Sequence, residues 1–297
     1  MTPLTAPEPA WVRDPWSRRG GYIAAHRNHR PADGPDCPFC PSGREAPPAY
    51  AAPYAFPNRW PPLPAGRSTV VVHDRDHDGD FGTIPAASTA AVVDLWAATT
   101  RAHAALPGVG CVLVFENRGA AAGATVAHPH SQVFALPPLD PPPPGADCPG
   151  CAPPDPALAV TGHGRWHILV PEGPTAPYML RLAPRRHVGA LPDLDAAERR
   201  DLAAALRDAV RRLDGLFGTA MPYHLSIRQD LDRPAHLYAD IAGLLRAPGR
   251  LRVLGAAETA TGLFFTPVDP RDAAARLRAA AGAGVRQAPG AGAGATR

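Results

Sequence analysis

From Asp195 onward, in DAAERRDLAAALRDAVRRLDGLFG, apolar residues recur at steps of three and four. Leu202, Leu206, Val210, Leu213 and Phe217 fall on one stripe, which predicts an amphipathic helix. Asp195 stands before the stripe as an N-cap with Glu198 three residues later, a spacing that lets each side chain accept an otherwise unpaired backbone N–H. The Ala-rich stretch from Thr83 to Ala105 predicts a second helix, with Val92, Val93 and Trp96 as its apolar face. Short β-branched or aromatic runs predict strands at Thr69 to Val72, Val112 to Phe115, Gln132 to Ala135, Trp166 to Val170, Tyr223 to Ile227 and Leu263 to Thr266. Long helices among short strands indicate an α+β fold with mostly antiparallel pairing.

The Pro-rich stretch LPPLDPPPPGADCPGCAPPDP, residues 136–156, divides the 297-residue chain nearly in half. Spacings on its two sides agree. Cys37 and Cys40 are followed by His77, 37 residues after Cys40, and by His128, 51 residues further on. Cys148 and Cys151 are followed by His187 after 36 residues and by His236 after another 49. CPFC answers CPGC, and ArgAspHis at 75–77 answers ArgArgHis at 185–187. A duplication is therefore expected. It gives an N-terminal extension (1–19), a first repeat (20–137), a Pro-rich linker carrying the second C-x-x-C (138–156), a second repeat (157–282) and a disordered tail (283–297).

Composition narrows the chemistry. All 30 basic residues are Arg, so lysine Schiff bases, lysine general bases and a P-loop lysine are excluded. A net charge of +3 without basic blocks does not indicate a nucleic-acid groove. The N-terminal MTPLTAPEPAWVRDPW lacks the layout of an export signal, and no run approaches the ~20 apolar residues of a membrane span. The expectation is a cytoplasmic protein with no membrane partner. Four of the five Cys lie in two C-x-x-C pairs, which in such a chain point to metal or redox chemistry. Each half offers Cys₂His₂, the donor set of a structural zinc site. The alternatives are a redox pair or a simple turn, and a redox C-x-x-C ordinarily opens a helix rather than lying between Pro and Gly.

The densest chemistry lies in FENRGAAAGATVAHPHSQVFALP, residues 115–137. A strand leads into a Gly-rich turn, then His128-Pro129-His130-Ser131-Gln132, then another strand. Extended residues alternate faces, so His128, His130 and Gln132 project together. The small residues from Gly119 to Thr125 allow backbone N–H groups to approach phosphate oxygens. A strand-borne imidazole beside an amide donor and an anion-binding turn suits nucleophilic attack on phosphorus. The bland alternative is a metal-ligand pair or an exposed polar turn.

FENRGAAAG…HPHSQ resembles the signature of the galactose-1-phosphate uridylyltransferase branch of the histidine-triad superfamily, whose usual form is FENKGAAMG…HPHGQ. His26-Arg27-Asn28-His29-Arg30-Pro31 before CPFC, Tyr54-Ala55-Phe56-Pro57-Asn58, and His187-Val188 before the capped helix extend the resemblance over roughly residues 20–282. It implies two histidine-triad-like repeats, each with an antiparallel sheet and a long helix. It also implies that His130 takes the nucleotidyl group and that Gln132, where hydrolase branches carry a third His, binds the phosphoryl oxygens. The His128 carbonyl would orient His130, while the His128 side chain joins Cys37, Cys40 and His77 on a structural zinc.

Asn58 would help hold the nucleoside and Arg30 the diphosphate. Glu116, Asn117 and Thr125 fall near the phosphates or the zinc-bearing strand, and Gly123 and Ser131 join the substrate contacts. The enteric form's second-repeat HAH stands here as Pro234-Ala235-His236, which with Cys148, Cys151 and His187 favours a second zinc, as in plant ADP-glucose phosphorylases. Gly255-Ala256-Ala257-Glu258 has one residue more than the family's Gly-Tyr-Glu, making Glu258 the candidate acceptor for a sugar hydroxyl. The implied reaction is ping-pong nucleotidyl transfer between a nucleotide sugar and a sugar 1-phosphate, with inorganic phosphate as the alternative acceptor. A homodimer sharing Glu258 between subunits is also implied. A non-catalytic nucleotide-binding module is the reading from another class.

Overall fold

The computed structural model describes residues 8–17, 19–29, 36–139, 148–232 and 235–281, and within them the two halves build the same elements in the same order. A hairpin of β1 (Ala10–Arg13) and β2 (Gly20–Ile23) comes first. The first half then runs β3 (Tyr54–Pro57), β4 (Ser68–Val72), α1 (Ala86–Ala104), β5 (Cys111–Arg118) and β6 (His130–Leu136). The second half begins with β7 (Ala159–His163), then runs β8 (Trp166–Leu169), β9 (Tyr178–Pro184), α2 (Ala196–Gly215), β10 (Tyr223–Asp230) and β11 (Ala239–Gly243). Helices α3 (Ala256–Thr261) and α4 (Pro270–Ala279) follow.

In space the first half is ordered β3-β4-β6-β5 and the second β8-β9-β11-β10, with β7 added at the edge. The halves do not keep separate sheets. β5 and β10 pair antiparallel from Cys111↔Asp230 to Arg118↔Tyr223, giving one nine-stranded antiparallel sheet in which equivalent strands meet at the seam. The fold is α+β, as the patterning implies.

Both long helices cover the same face. The capping box at α2 is formed, with Asp195 Oδ1 accepting from Glu198 N at 2.8 Å and Glu198 Oε2 accepting from Asp195 N at 2.8 Å. Leu202, Leu206, Val210 and Leu213 are buried with Val92, Val93 and Trp96 of α1 against Val112, Val114, Val133, Ile227 and Ile241 of the sheet. Each such side chain contributes about 1.5–3 kcal/mol on burial. Helix α1 starts at Ala86 rather than Thr83, because the N–H groups of Thr83 and Ile84 close a turn onto the Asp80 carbonyl. On the opposite face a smaller cluster of Phe39, Tyr50, Phe56, Val70, Val72 and Val126 seats the first C-x-x-C segment beside β4. The rest of that face is more open.

One expected strand is not formed. Leu263 to Thr266 pairs with no strand among the described residues. It follows the left-handed Gly262 (φ 75°) at the end of α3, and the Phe265 N–H goes to Glu258 Oε1 at 3.3 Å. Local apolar character cannot supply a neighbouring edge. Conversely β9 has no sequence alternation to betray it, since six of its seven residues are buried. The expected tail lies outside the described residues, as do residues 140–147 of the Pro-rich linker.

The seam carries charge into the core. Arg118 donates to both Asp214 oxygens, at 2.6 and 3.0 Å, and also pairs with Asp80. Beside it the buried Glu116 accepts from the Tyr223 hydroxyl at 3.1 Å, and burial pushes its carboxyl from an ordinary 4.5 up to about 8. The folded state thus keeps a proton that the unfolded chain releases, so this group's contribution to stability falls as pH rises from about 5 to 8 and is lost above that window. Glu116→Gln should remove that part of the decline, on the order of a few kcal/mol. Denaturant midpoints of both proteins measured across pH 5–9 check this, and parallel curves would contradict it.

Candidate active site

The two-residue period of β6 sorts its side chains. Ser131, Val133 and Ala135 are buried toward the helices, while His130, Gln132 and Phe134 stand on the open face. His130 Nδ1 lies 2.8 Å from the His128 carbonyl. A carbonyl only accepts, so Nδ1 carries the ring proton and Nε2 keeps its lone pair. The edge of Phe39 packs on the ring at 4.9 Å between centroids. Gln132 Oε1 accepts from Asn58 Nδ2 at 3.1 Å, and Asn58 Oδ1 accepts from Trp60 N at 2.8 Å. The Gln132 carbonyl is thereby engaged, which turns its NH₂ group into the donor offered to an anion. His130, Gln132 and Asn58 are brought together as expected from the sequence.

The Gly119–Thr125 loop follows β5. Gly119 (φ 83°) and Gly123 (φ 80°) flank a tight turn at Ala120–Ala122, and both require the left-handed conformation. Three loop amides are engaged internally: Ala122 and Ala124 donate to Gly119 O at 3.0 and 3.2 Å, and Gly123 to Ala120 O at 2.9 Å. The loop therefore presents fewer amides than its composition suggests. Asn117, next to last in β5, lies beside Gly123, and Thr125 is exposed.

Sequence patterning missed a residue from the other half. His224 on β10, paired in register with Asn117, places Nε2 3.0 Å from Ala122 O and holds the turn from across the seam. An imidazole at an alternating polar position of a strand was the available signal.

Two expected contacts fall elsewhere. Ser131 is 1% exposed, with Oγ accepting from Trp96 Nε1 at 2.7 Å and 3.0 Å from His73 Nε2, because an odd step along β6 points into the core. The Ser131 hydroxyl is therefore turned into the core, away from the open face that carries His130 and Gln132. Glu258 caps its own helix: its carboxylate accepts from Gly255 N at 2.6 Å and pairs with Arg252, and these bonds hold it below the usual carboxylate range. No described contact joins it to His130. Arg30 lies outside the described residues.

Both expected donor sets are assembled. Cys37, Cys40, His77 and His128 form one group and Cys148, Cys151, His187 and His236 the other, with all ligand atoms of each within 4.8 Å of one another. The sulfur-to-Nδ1 separations are 3.6–3.7 Å in the first and 3.5–3.7 Å in the second. A tetrahedral ion with bonds of ~2.3 Å to sulfur and ~2.0 Å to nitrogen sets such edges at about 3.5 Å. His128 Nε2 donates to Asp74 O and His236 Nε2 to Pro184 O, both at 2.8 Å, which aims each Nδ1 inward as a ligand. Burial holds both histidines below their usual range, so the rings are neutral. Burial and the Cys37 thiol push Cys40 up to about 11, so a bound cation is what would make it a thiolate.

The second half repeats the frame with other side chains. His236 stands where His128 does, and two steps on Tyr238 and Asp240 take the places of His130 and Gln132. Arg181 donates twice to Asp240, at 2.8 Å each, and stacks over Tyr238 at 4.1 Å, which fills the equivalent position.

The fold is a duplicated histidine-triad-like arrangement, and the His-Pro-His-Ser-Gln segment carries Gln at its third position. The model of the N-terminal domain of galactose-1-phosphate uridyl transferase matches residues 62–139. A galactose-1-phosphate uridylyltransferase of Streptomyces lividans is 35% identical over 224 residues, spanning 65% of this chain and 60% of that protein. One from Thermotoga maritima is 28% identical over 290 residues, spanning 82% and 89%. A solved uridylyltransferase mutant superposes with a TM-score of 0.80 at 27% identity, covering 91% of this chain and 97% of its own. An ADP-glucose phosphorylase of Arabidopsis thaliana shares the fold, with a TM-score of 0.72 at 22% identity over 92% and 98%. In sequence and fold the chain resembles the galactose-1-phosphate uridylyltransferase family. No helix among the described residues is long and apolar enough to cross a membrane.

Cys37→Ser and Cys148→Ser should each lower bound metal by about one equivalent per chain. Elemental analysis of the purified proteins reads this directly, and an unchanged content in either variant removes that site.

Proposed function

We propose that the chain is a nucleotidyltransferase acting on nucleoside diphosphate sugars, with hexose-1-phosphate (galactose-1-phosphate) uridylyl transfer as its reaction. The observation that carries this is the bond from His130 Nδ1 to the His128 carbonyl, which directs a lone pair outward on Nε2 beside Gln132. Nε2 attacks the α-phosphorus of the nucleotide sugar. A P–N bond forms, the P–O bond to the sugar phosphate breaks, and sugar 1-phosphate leaves with the bonding pair. The ring becomes cationic, and the His128 carbonyl stabilises the Nδ1–H. The Gln132 NH₂ donates to a phosphoryl oxygen as charge develops. A second phosphate then attacks the adduct from the vacated side and restores the imidazole. A binding module has no need of an oriented lone pair, which weighs against a non-catalytic role.

The four-donor sets are assigned to structural zinc, whose full protein coordination gives it no step in the reaction. Four free thiols in these sets suit a reducing compartment, the cytoplasm. The repeats are assigned to 20–137 and 157–282, flanking the 138–156 linker.

His130→Asn should abolish turnover with fold and metal content retained. Wild type incubated with ³²P-labelled UDP-glucose should yield an acid-labile protein adduct that His130→Asn lacks. Release of the label by galactose 1-phosphate supports uridylyl transfer, whereas release by inorganic phosphate supports the phosphorylase alternative. An adduct persisting in His130→Asn would assign the nucleophile elsewhere.

The assembly proposed is a homodimer in which Glu258 acts on the sugar held beside the partner's His130. It is supported by the exposure of Leu263, Phe264 and Phe265 on the same segment. Mixing inactive His130→Asn and Glu258→Gln proteins under subunit exchange should restore about half of wild-type activity per mixed dimer, since one of its two sites is then intact. No recovery after demonstrated exchange removes the shared site.

A further inference from the structure

The core behind the nucleophile contains polar groups that an apolar packing would not require. Ser131 and His73 are 1% and 0% exposed, and a buried hydroxyl or imidazole is costly unless bonded. Among the described residues His73 Nδ1 has no hydrogen-bond partner, a cost that some other contact must offset. The contacts made by this ring and its neighbours converge on one short segment. His73 N donates to Pro129 O at 3.0 Å, His73 Nε2 meets Ser131 Oγ at 3.0 Å, and the next residue, Asp74, accepts from His128 Nε2 at 2.8 Å. The His73 ring is itself seated, stacked on Phe81 at 4.6 Å and edge-on to Trp96 at 6.1 Å. Trp96 completes the brace from α1 by donating to Ser131 Oγ at 2.7 Å.

We propose that Ser131, clamped from behind by Trp96 and His73, is a positioning residue that sets the backbone orientation of residues 128–131 and thereby the direction in which His130 presents Nε2. The acceptor that fixes the His130 ring is the His128 carbonyl, part of the same backbone segment, so any rotation of that segment moves the acceptor and swings the ring. The zinc-type group anchors one end of the segment through His128, and Ser131 anchors the other. Backbone pairing holds the segment only in part: the β4 ladder ends at Val72↔His130, and beyond it the backbone bond from His73 N to Pro129 O is what continues it. Displacing a reacting atom by about 1 Å costs on the order of 100-fold in rate, so a brace that acts only on orientation should alter the chemical step and not substrate affinity.

This inference rests on the nucleotidyl-transfer reading of His130, and its test separates the two. Ser131→Ala removes the hydroxyl at nearly constant volume, and Trp96→Phe removes the indole N–H while keeping an aromatic ring in place. Each should slow adduct formation in single-turnover assays with UDP-glucose by about tenfold or more. UDP-glucose affinity, measured in a His130→Asn background, should change less than about twofold. The double variant should be little worse than either single, as expected for two groups acting through one bond. Ser131→Thr, which restores the hydroxyl, should recover most of the rate.

Ring ¹⁵N spectra of His130 give a readout independent of turnover: a single Nδ1–H tautomer in wild type and a mixture of tautomers in Ser131→Ala. A wild-type rate and tautomer in Ser131→Ala would overturn the proposal, as would rate and affinity falling together. If wild type forms no adduct with any nucleotide sugar while the tautomer still shifts in Ser131→Ala, the positioning role stands and the transfer reading fails.

Discussion

The site depends on the alternation of side chains along β6. Within three residues it places an imidazole and an amide on the open face and a hydroxyl in the core, and His128 before them supplies the His130 acceptor through its carbonyl and a metal-type ligand through its ring. A slip of one residue would bury His130 and expose Ser131. Register is therefore the property the surrounding structure must protect. The apolar positions Val133 and Ala135 do so from the helix face, and the pairing of β6 with both β4 and β5 does so within the sheet.

Duplication explains why the first half needs the second. A four-stranded unit with one helix has an exposed inner edge at β5, and antiparallel pairing with the equivalent β10 removes it. Once the seam exists, the second half also reaches the first half's loop, through His224 on Ala122 O. Its own equivalent of β6 is closed by the Arg181–Asp240 pair and Tyr238, so the two copies keep the same frame but present different side chains.

The seam is also where the core is least apolar. Arg118 between Asp80 and Asp214 ties the β5 terminus to α2, and Glu116 with Tyr223 spans the two halves. Breaking either set would leave buried groups unpaired, a larger loss than the pairs contribute net. Such groups favour one relative placement of the halves over sliding, because each has a single geometry in which all its bonds are made.

Several features were legible in the sequence alone because they are set by local periodicity or by fixed spacing. The capped α2, the apolar face of α1, the Cys and His ladders and the HPHSQ segment depend on residues within a turn, a strand or a repeat, where chemistry and geometry are coupled through the chain itself. Tertiary structure decided the rest. Leu263 to Thr266 has a strand's composition and no edge to join, and the fully covered β9 has an edge on each side and no alternation. Ser131 belongs to the motif by position and to the core by parity. His224 belongs to no motif, and reaches the Gly119–Thr125 loop only because β10 pairs with β5. Long-range pairing is not encoded in any short window, since the free energy that selects it comes from burial and hydrogen bonds between segments about a hundred residues apart.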